Sequence, residues 1–137
     1  MKSNRLAHDN VETIHQWHVN ENGWKMVGYQ IFIDSKGNDF DEHNHPLMRP
    51  YAMTPAAVLN HNAGMIAICL WGAGEEDFTP EQIYKLRIRV RQLMAEYELE
   101  RWAVKGHDEY SGHETRGCPG MNVQDVLFGT RGIKQTY

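Results

Sequence analysis

Cysteine is scarce: of 137 residues only Cys69 and Cys118 carry a thiol, one inside the apolar run Met65 to Trp71, the other in a loop rich in glycine. A structural disulfide framework is not expected from two cysteines in such unlike settings, and Cys69 should pack as a small hydrophobe. Long apolar runs are lacking too. None approaches the ~18 residues that span a bilayer, so no membrane partner is expected. The first ten residues, Met1 to Asn10, are polar and hold no signal-peptide pattern, which predicts synthesis in the cytoplasm. There is no excess of basic charge. Lys and Arg total 14 against 18 Asp and Glu, a net charge of −4 with the signs interspersed, so nucleic acid is not an expected partner. Repeats and low-complexity segments are absent.

What is present fits one domain covering 1–137, long enough to bury most of its apolar surface. Arg5-Leu6-Ala7 reads as a short strand. Asn10 is a good N-cap for a helix to about Asn20, with Val11, Ile14, Trp17 and His18 on one stripe and Asn22-Gly23 ending it. Gly28 to Asp34 alternates as a strand should, with Tyr29, Ile31 and Ile33 on one face, and Ser35 to Asn38 is a turn. Prolines 46, 50 and 55 exclude long elements from 39–55. Within that stretch, Asp41-Glu42-His43-Asn44-His45 is read as a solvated polar loop, with metal chelation as the alternative. Met65 to Trp71 has the length and composition of a central strand covered on both faces. Thr79-Pro80-Glu81-Gln82 starts a helix, and Ile83, Leu86, Val90, Leu93, Met94 and Tyr97 carry it to about Glu98. Lys85, Arg87, Arg89 and Arg91 should form its solvated face. Val123 to Phe128 reads as a final helical turn or two. The order predicts an α/β fold: a single domain with a central mixed or mostly parallel sheet flanked by helices.

Chemistry concentrates between Lys105 and Gly120. Two His, one Cys, one Arg and two Glu share a loop that follows the apolar Trp102-Ala103-Val104, where a strand end would let polar groups converge. A thiolate and an imidazole together suit zinc, which takes sulfur and nitrogen ligands in a tetrahedral shell. Eight His in the chain point the same way.

Gly106-His107 followed by an acidic residue, then Gly117-Cys118-Pro119-Gly120, resembles the last motif of the zinc-dependent N-acetylmuramoyl-L-alanine amidases. This is the superfamily of amidase-type phage lysozymes and peptidoglycan recognition proteins. Ile14-His15-Gln16-Trp17-His18, Asn22-Gly23-Trp24, Val27-Gly28-Tyr29 and the loop at Asn60-His61-Asn62 resemble its earlier motifs, so the likeness covers about residues 11–124. The resemblance implies an amidase-like fold, a Zn2+ cofactor, and hydrolysis of the amide between N-acetylmuramic acid and L-alanine in peptidoglycan. It implies His107 and Cys118 as zinc ligands, Tyr29 beside the metal or the substrate carbonyl, and Arg116 in a position where family members often have Lys or Thr. His61, Asn62 and Glu109 are the expected substrate-binding residues.

Three departures accompany the likeness. His107 and Cys118 stand eleven positions apart where the family usually has about eight, which leaves His113 as an alternative ligand. Gln30 replaces a common His, and Ala56-Ala57 replaces an Ala-His pair. The family's third ligand closes an apolar first strand that this chain lacks. His8 is where a trimmed version would put that ligand, and the other reading is a damaged metal site. A phage-type lysin, monomeric, released from the cytoplasm onto the cell wall, is the setting the resemblance implies. The alternative is a catalytically impaired peptidoglycan-binding or regulatory module on the same fold.

Overall fold

Ile31-Phe32-Ile33 is fully buried, and among the described residues it forms the middle strand β1 (Ile31–Ile33) of a three-stranded sheet. The computed structural model describes residues 1, 3–56, 64–106 and 122–129. Strand β2 (Asp39–Phe40) returns antiparallel, Phe32 opposite Phe40 and Ile33 opposite Asp39. The turn between them is built by Asp34, whose Oδ1 accepts from the backbone N–H groups of Lys36 and Asn38. Gly37 takes φ +81°, where a side chain would be strained and would meet Glu81 O at 2.8 Å. Strand β3 (Ile68–Leu70) lies parallel to β1, Ile31 opposite Ile68 and Ile33 opposite Leu70. Among the described residues the order is β2-β1-β3, so the apolar run 65–71 supplies an outer strand, and β1 takes the centre. The sheet is mixed and flanked by helices, as expected.

Alternation along β1 and β3 sends side chains to two cores. Ile31, Ile33 and Leu70 pack against Leu86, Val90 and Leu93 of α2 (Pro80–Tyr97) and against Val123, Leu127 and Phe128 of α3 (Val123–Phe128). Phe32, Cys69 and Trp71 pack against Val11, Ile14, Val27 and Met48 on the other face. Cys69 is thus a buried small hydrophobe. Helix α1 (Val11–His15) is capped by Asn10, whose Oδ1 accepts from Thr13 N at 2.8 Å, and it continues as a wider π-helical turn over Gln16–Glu21. So short a helix is marginal alone; burying Val11 and Ile14, at roughly 1.5–3 kcal/mol each, holds it in place.

Helix α2 begins as its sequence dictates: Thr79 Oγ1 accepts from Gln82 N, and Gln82 Oε1 accepts from Thr79 N. Gln82 does more than cap. It is fully buried, and its Nε2 donates to Ile33 O at 3.1 Å and Trp71 O at 2.8 Å, tying the helix start to the ends of β1 and β3.

Three further expectations change. Residues Leu6–His8 form a 3-10 turn, and so do Arg101–Ala103. Leu6 and Trp102 are 76% and 74% exposed, so neither has a core to face, and a strand there would bury nothing. Arg89 is turned inward from the basic run: its guanidinium pairs with Asp39 and Asp41 and meets the Tyr51 hydroxyl. Arg87 likewise donates to Val126 O. The helix's cations therefore stitch it to β2, to the following loop and to α3.

Candidate active site

Tyr29 is placed by a bulge at the amino end of β1. Both Gln30 N–H and Ile31 N–H donate to Ala67 O, at 3.1 and 3.2 Å, so one extra residue enters the strand and the alternation breaks there. Tyr29 consequently packs with the Phe32 and Val27 cluster, while Ile31 and Ile33 face α2. Gln30, fully buried, uses both ends of its amide: Nε2 donates to Met53 O at 2.7 Å and Oε1 accepts from Ala67 N at 2.8 Å. It is a strut between the 41–56 loop and the approach to β3.

Around Tyr29 the packing is tight. Ala56 N donates to Gly28 O at 2.9 Å, and a Cβ on Gly28 would meet Ala56 O at 2.6 Å and Trp24 at 3.2 Å. The His18 ring lies 4.5 Å from that of Trp24 and 5.4 Å from that of Tyr29. Its Nδ1 accepts from Gly28 N at 3.0 Å. Burial, aided by the charge of Arg49, lowers the His18 pKa to about 4, so the ring is neutral near pH 7. Arg49 completes the group: its backbone N donates to Tyr29 O and its Nε donates to Val27 O.

A cavity of about 570 Å³ runs mostly along apolar side chains of β3, α2 and α3, among them Leu70, Leu86, Val90 and Leu127, and reaches Tyr29, Met53, Thr54, Gly64, Lys105 and Gly106. Gly64 follows the segment that holds His61 and Asn62, and Gly106 immediately precedes His107. Described ends of both candidate-bearing segments thus share one cavity with the tyrosine. His61, Asn62, His107, Glu109, His113, Arg116 and Cys118 themselves lie outside the described residues.

His8 is held elsewhere. Its Nδ1 is 2.7 Å from Ser3 Oγ and its ring meets Trp17 edge-on at 5.0 Å. The neighbouring Asp9 carboxylate accepts from Ser35 N–H and Oγ–H, beyond the carboxyl end of β1, whereas Tyr29 precedes its amino end. The two residues are not brought into contact. Asp41 to His45 is a structural turn: Asp41 Oδ1 accepts from His43 N and Oδ2 from Tyr51 Oη at 2.6 Å and Arg89 at 2.7 Å. Burial pushes the Asp41 carboxyl upward, but those hydrogen bonds and the Arg89 charge outweigh it and hold its pKa below the usual value. Among the described residues no three His, Cys, Asp or Glu are grouped to hold a metal ion.

Arg49 has no reading from the sequence, His18 reads only as part of a helix stripe, and Gln30 enters only as the replacement for a common His. Arg49 carried no signal beyond being a loop arginine before a proline, and its role follows from the fold of the 41–56 loop onto Tyr29.

The family model for N-acetylmuramoyl-L-alanine amidase matches residues 2–121. The endolysin of Escherichia phage T7 is 29% identical over 120 residues, covering 83% of this chain and 72% of that protein, and the endolysin of Enterobacteria phage T3 is 28% identical over the same shares. Among solved structures, the N-acetylmuramoyl-L-alanine amidase LysC from Clostridium intestinale URNW superposes with a TM-score of 0.68 at 25% identity, over 82% of this chain and 68% of that one. Bumblebee PGRP-SA shares the fold at TM-score 0.54 and 20% identity, over 63% and 48%. With its model matched over most of the length and Tyr29 held in a tight aromatic group beside the cavity, the chain belongs to the N-acetylmuramoyl-L-alanine amidase family.

Proposed function

We propose that this chain hydrolyses the amide between N-acetylmuramic acid and L-alanine in peptidoglycan, as a lysin that meets the cell wall after release from the cytoplasm. The observation that carries the reading is the family match over 2–121, which spans Tyr29 and both segments that end at its cavity. No described helix is long and apolar enough to cross a membrane.

In this reading His107, Cys118 and His8 would hold zinc. Bound zinc acidifies water towards neutral pH and polarises a carbonyl. His8 has the donor chemistry of a ligand. Its Nδ1 is engaged by Ser3 and its Nε2 has no partner among the described residues, the arrangement of a ligating imidazole. It is also the one donor that the described residues set apart from Tyr29. The phenol of Tyr29 would orient the attacking water or donate to the developing oxyanion, and Arg116 would neutralise that charge. His61, Asn62 and Glu109 would line the groove for the glycan-linked peptide. The neutral His18 ring and Gly28 fix the tyrosine from behind.

The test is digestion of purified cell wall, reading new L-alanine amino termini against new reducing sugars. The wild type should release amino termini only, and Cys118→Ser should release none. Reducing sugars would mean a glycosidase. The position of His8 favours one rival, a peptidoglycan binder with an impaired metal site; tight wall binding without either product would establish it.

A further inference from the structure

Beside Tyr29 sits a cation that no described residue neutralises. Arg49 is half-buried, its backbone N–H is tied to Tyr29 O at 3.2 Å, and its Nε is tied to Val27 O at 3.0 Å. The backbone bond anchors the residue beside Tyr29, and the Nε bond orients the guanidinium. Its two terminal nitrogens make no hydrogen bond and no ion pair among the described residues. Arg87 and Arg89, also drawn into the fold, do have acceptors for those nitrogens, Val126 O for the first and Asp41 for the second. The titratable neighbour of Arg49 is His18, which cannot compensate it, because its Nδ1 lone pair is already used by Gly28. Partial burial lowers the Arg49 pKa, and no described carboxylate opposes that shift. A fork of donors, immobilised at one end, half-desolvated and open at the other, matches the geometry of a carboxylate. Exposed apolar surface from Trp24 and Met53, 38% and 39% accessible, lies on the same group of residues.

We propose that Arg49 is a specificity-determining residue that holds a carboxylate on the peptide side of the scissile amide, that of the D-glutamyl residue next to L-alanine. This rests on the amidase reading and adds to it a preference among peptides. Of the carboxylates on such a peptide, this one is nearest the bond that Tyr29 serves.

Two soluble muropeptides separate the outcomes: N-acetylmuramoyl-L-alanyl-D-isoglutamyl-L-lysine and its D-isoglutaminyl counterpart, which differ only in a carboxylate against a carboxamide. Release of L-alanyl amino termini is measured for the wild type, Arg49→Gln and Arg49→Lys, with purified wall as a third substrate. The wild type should favour the carboxylate by on the order of 10- to 100-fold in kcat/KM, chiefly through KM. Arg49→Gln should erase that preference, its loss in kcat/KM on the carboxylate exceeding its loss on the carboxamide by about the wild-type ratio, and Arg49→Lys should restore part of it. Equal kcat/KM of the wild type on both probes overturns the proposal. So does an equal loss on both in Arg49→Gln, which would make the arginine structural or part of oxyanion stabilisation. Cutting of wall but of neither probe also overturns it, since a carboxylate seated on Arg49 should anchor a free tripeptide. Failure of the wild type on all three substrates removes the amidase reading itself.

Discussion

The Nδ1 atom of His18 accepts the backbone N–H of Gly28 at 3.0 Å, so the ring must carry its proton on Nε2 and stay neutral to keep the bond. The folded pKa, about 4, lies below the ordinary 6.5, first through burial and then through Arg49. The folded chain therefore binds this proton less well than the unfolded chain does. The stability it contributes is fully present above about pH 6.5 and is lost as pH falls towards 4. Allowing for the ring's partial solvent exposure, the loss should be about 1–2 kcal/mol. Thermal unfolding followed from pH 7 to pH 4 should show this slope in the wild type and a flatter one in His18→Gln.

Gly28 and Gly23 make a discriminating pair. A methyl on Gly28 would press on the Ala56 carbonyl at 2.6 Å, a backbone atom that cannot swing away, and would push Trp24 and Tyr29 with it. Gly28→Ala should cost about 1–3 kcal/mol and most of the amidase activity. Gly23→Ala meets nothing within 4 Å but forces a side chain into φ +73°. It should cost about 1 kcal/mol and leave turnover intact. Urea unfolding with a wall-digestion assay on both proteins checks this.

Gln82 ties α2 to the sheet, and its removal should be worse than loss of the cap itself. Thr79→Ala removes the hydroxyl that accepts from Gln82 N and should cost about 1 kcal/mol. Gln82→Leu is close in volume but strips a donor from both Ile33 O and Trp71 O inside the core, which should cost about 2–4 kcal/mol. Equal urea midpoints for the two variants would show that the sheet ends find other donors.

These contrasts separate what the sequence could reveal from what it could not. Helix α2 was legible because its signals are local: Thr79, Pro80 and Gln82 within four positions, then Leu86, Val90 and Leu93 at helical spacing. Tyr29 was legible as part of a motif, but its face was not. The bulge that turns it depends on the carbonyl of Ala67, just before β3 and far away in the chain. Arg89 read as solvated because Asp39 and Asp41, which draw it in, lie far away in the chain. Arg49 and Gln30 acquire meaning only once the 41–56 loop folds back over β1.

The donor set is the sharpest place to test the proposed chemistry, since His8 has two possible employments. As a zinc ligand through Nε2 it would be needed for metal, and His8→Ala should lower zinc per chain and activity together, as Cys118→Ser should. As a structural residue it would serve only Ser3 and Trp17. Ser3→Ala tells the two apart, because it removes the Nδ1 partner while leaving the imidazole in place. On the ligand reading it should keep bound zinc and lose only the modest stability of a part-buried hydrogen bond, about 1 kcal/mol. Elemental analysis of the three variants after dialysis, beside their thermal unfolding, gives the answer. If His8→Ala holds as much zinc as the wild type and is destabilised no more than Ser3→Ala, His8 belongs to packing; zinc retained in both then points to another third donor, His113 first, and zinc absent from both points to a damaged metal site.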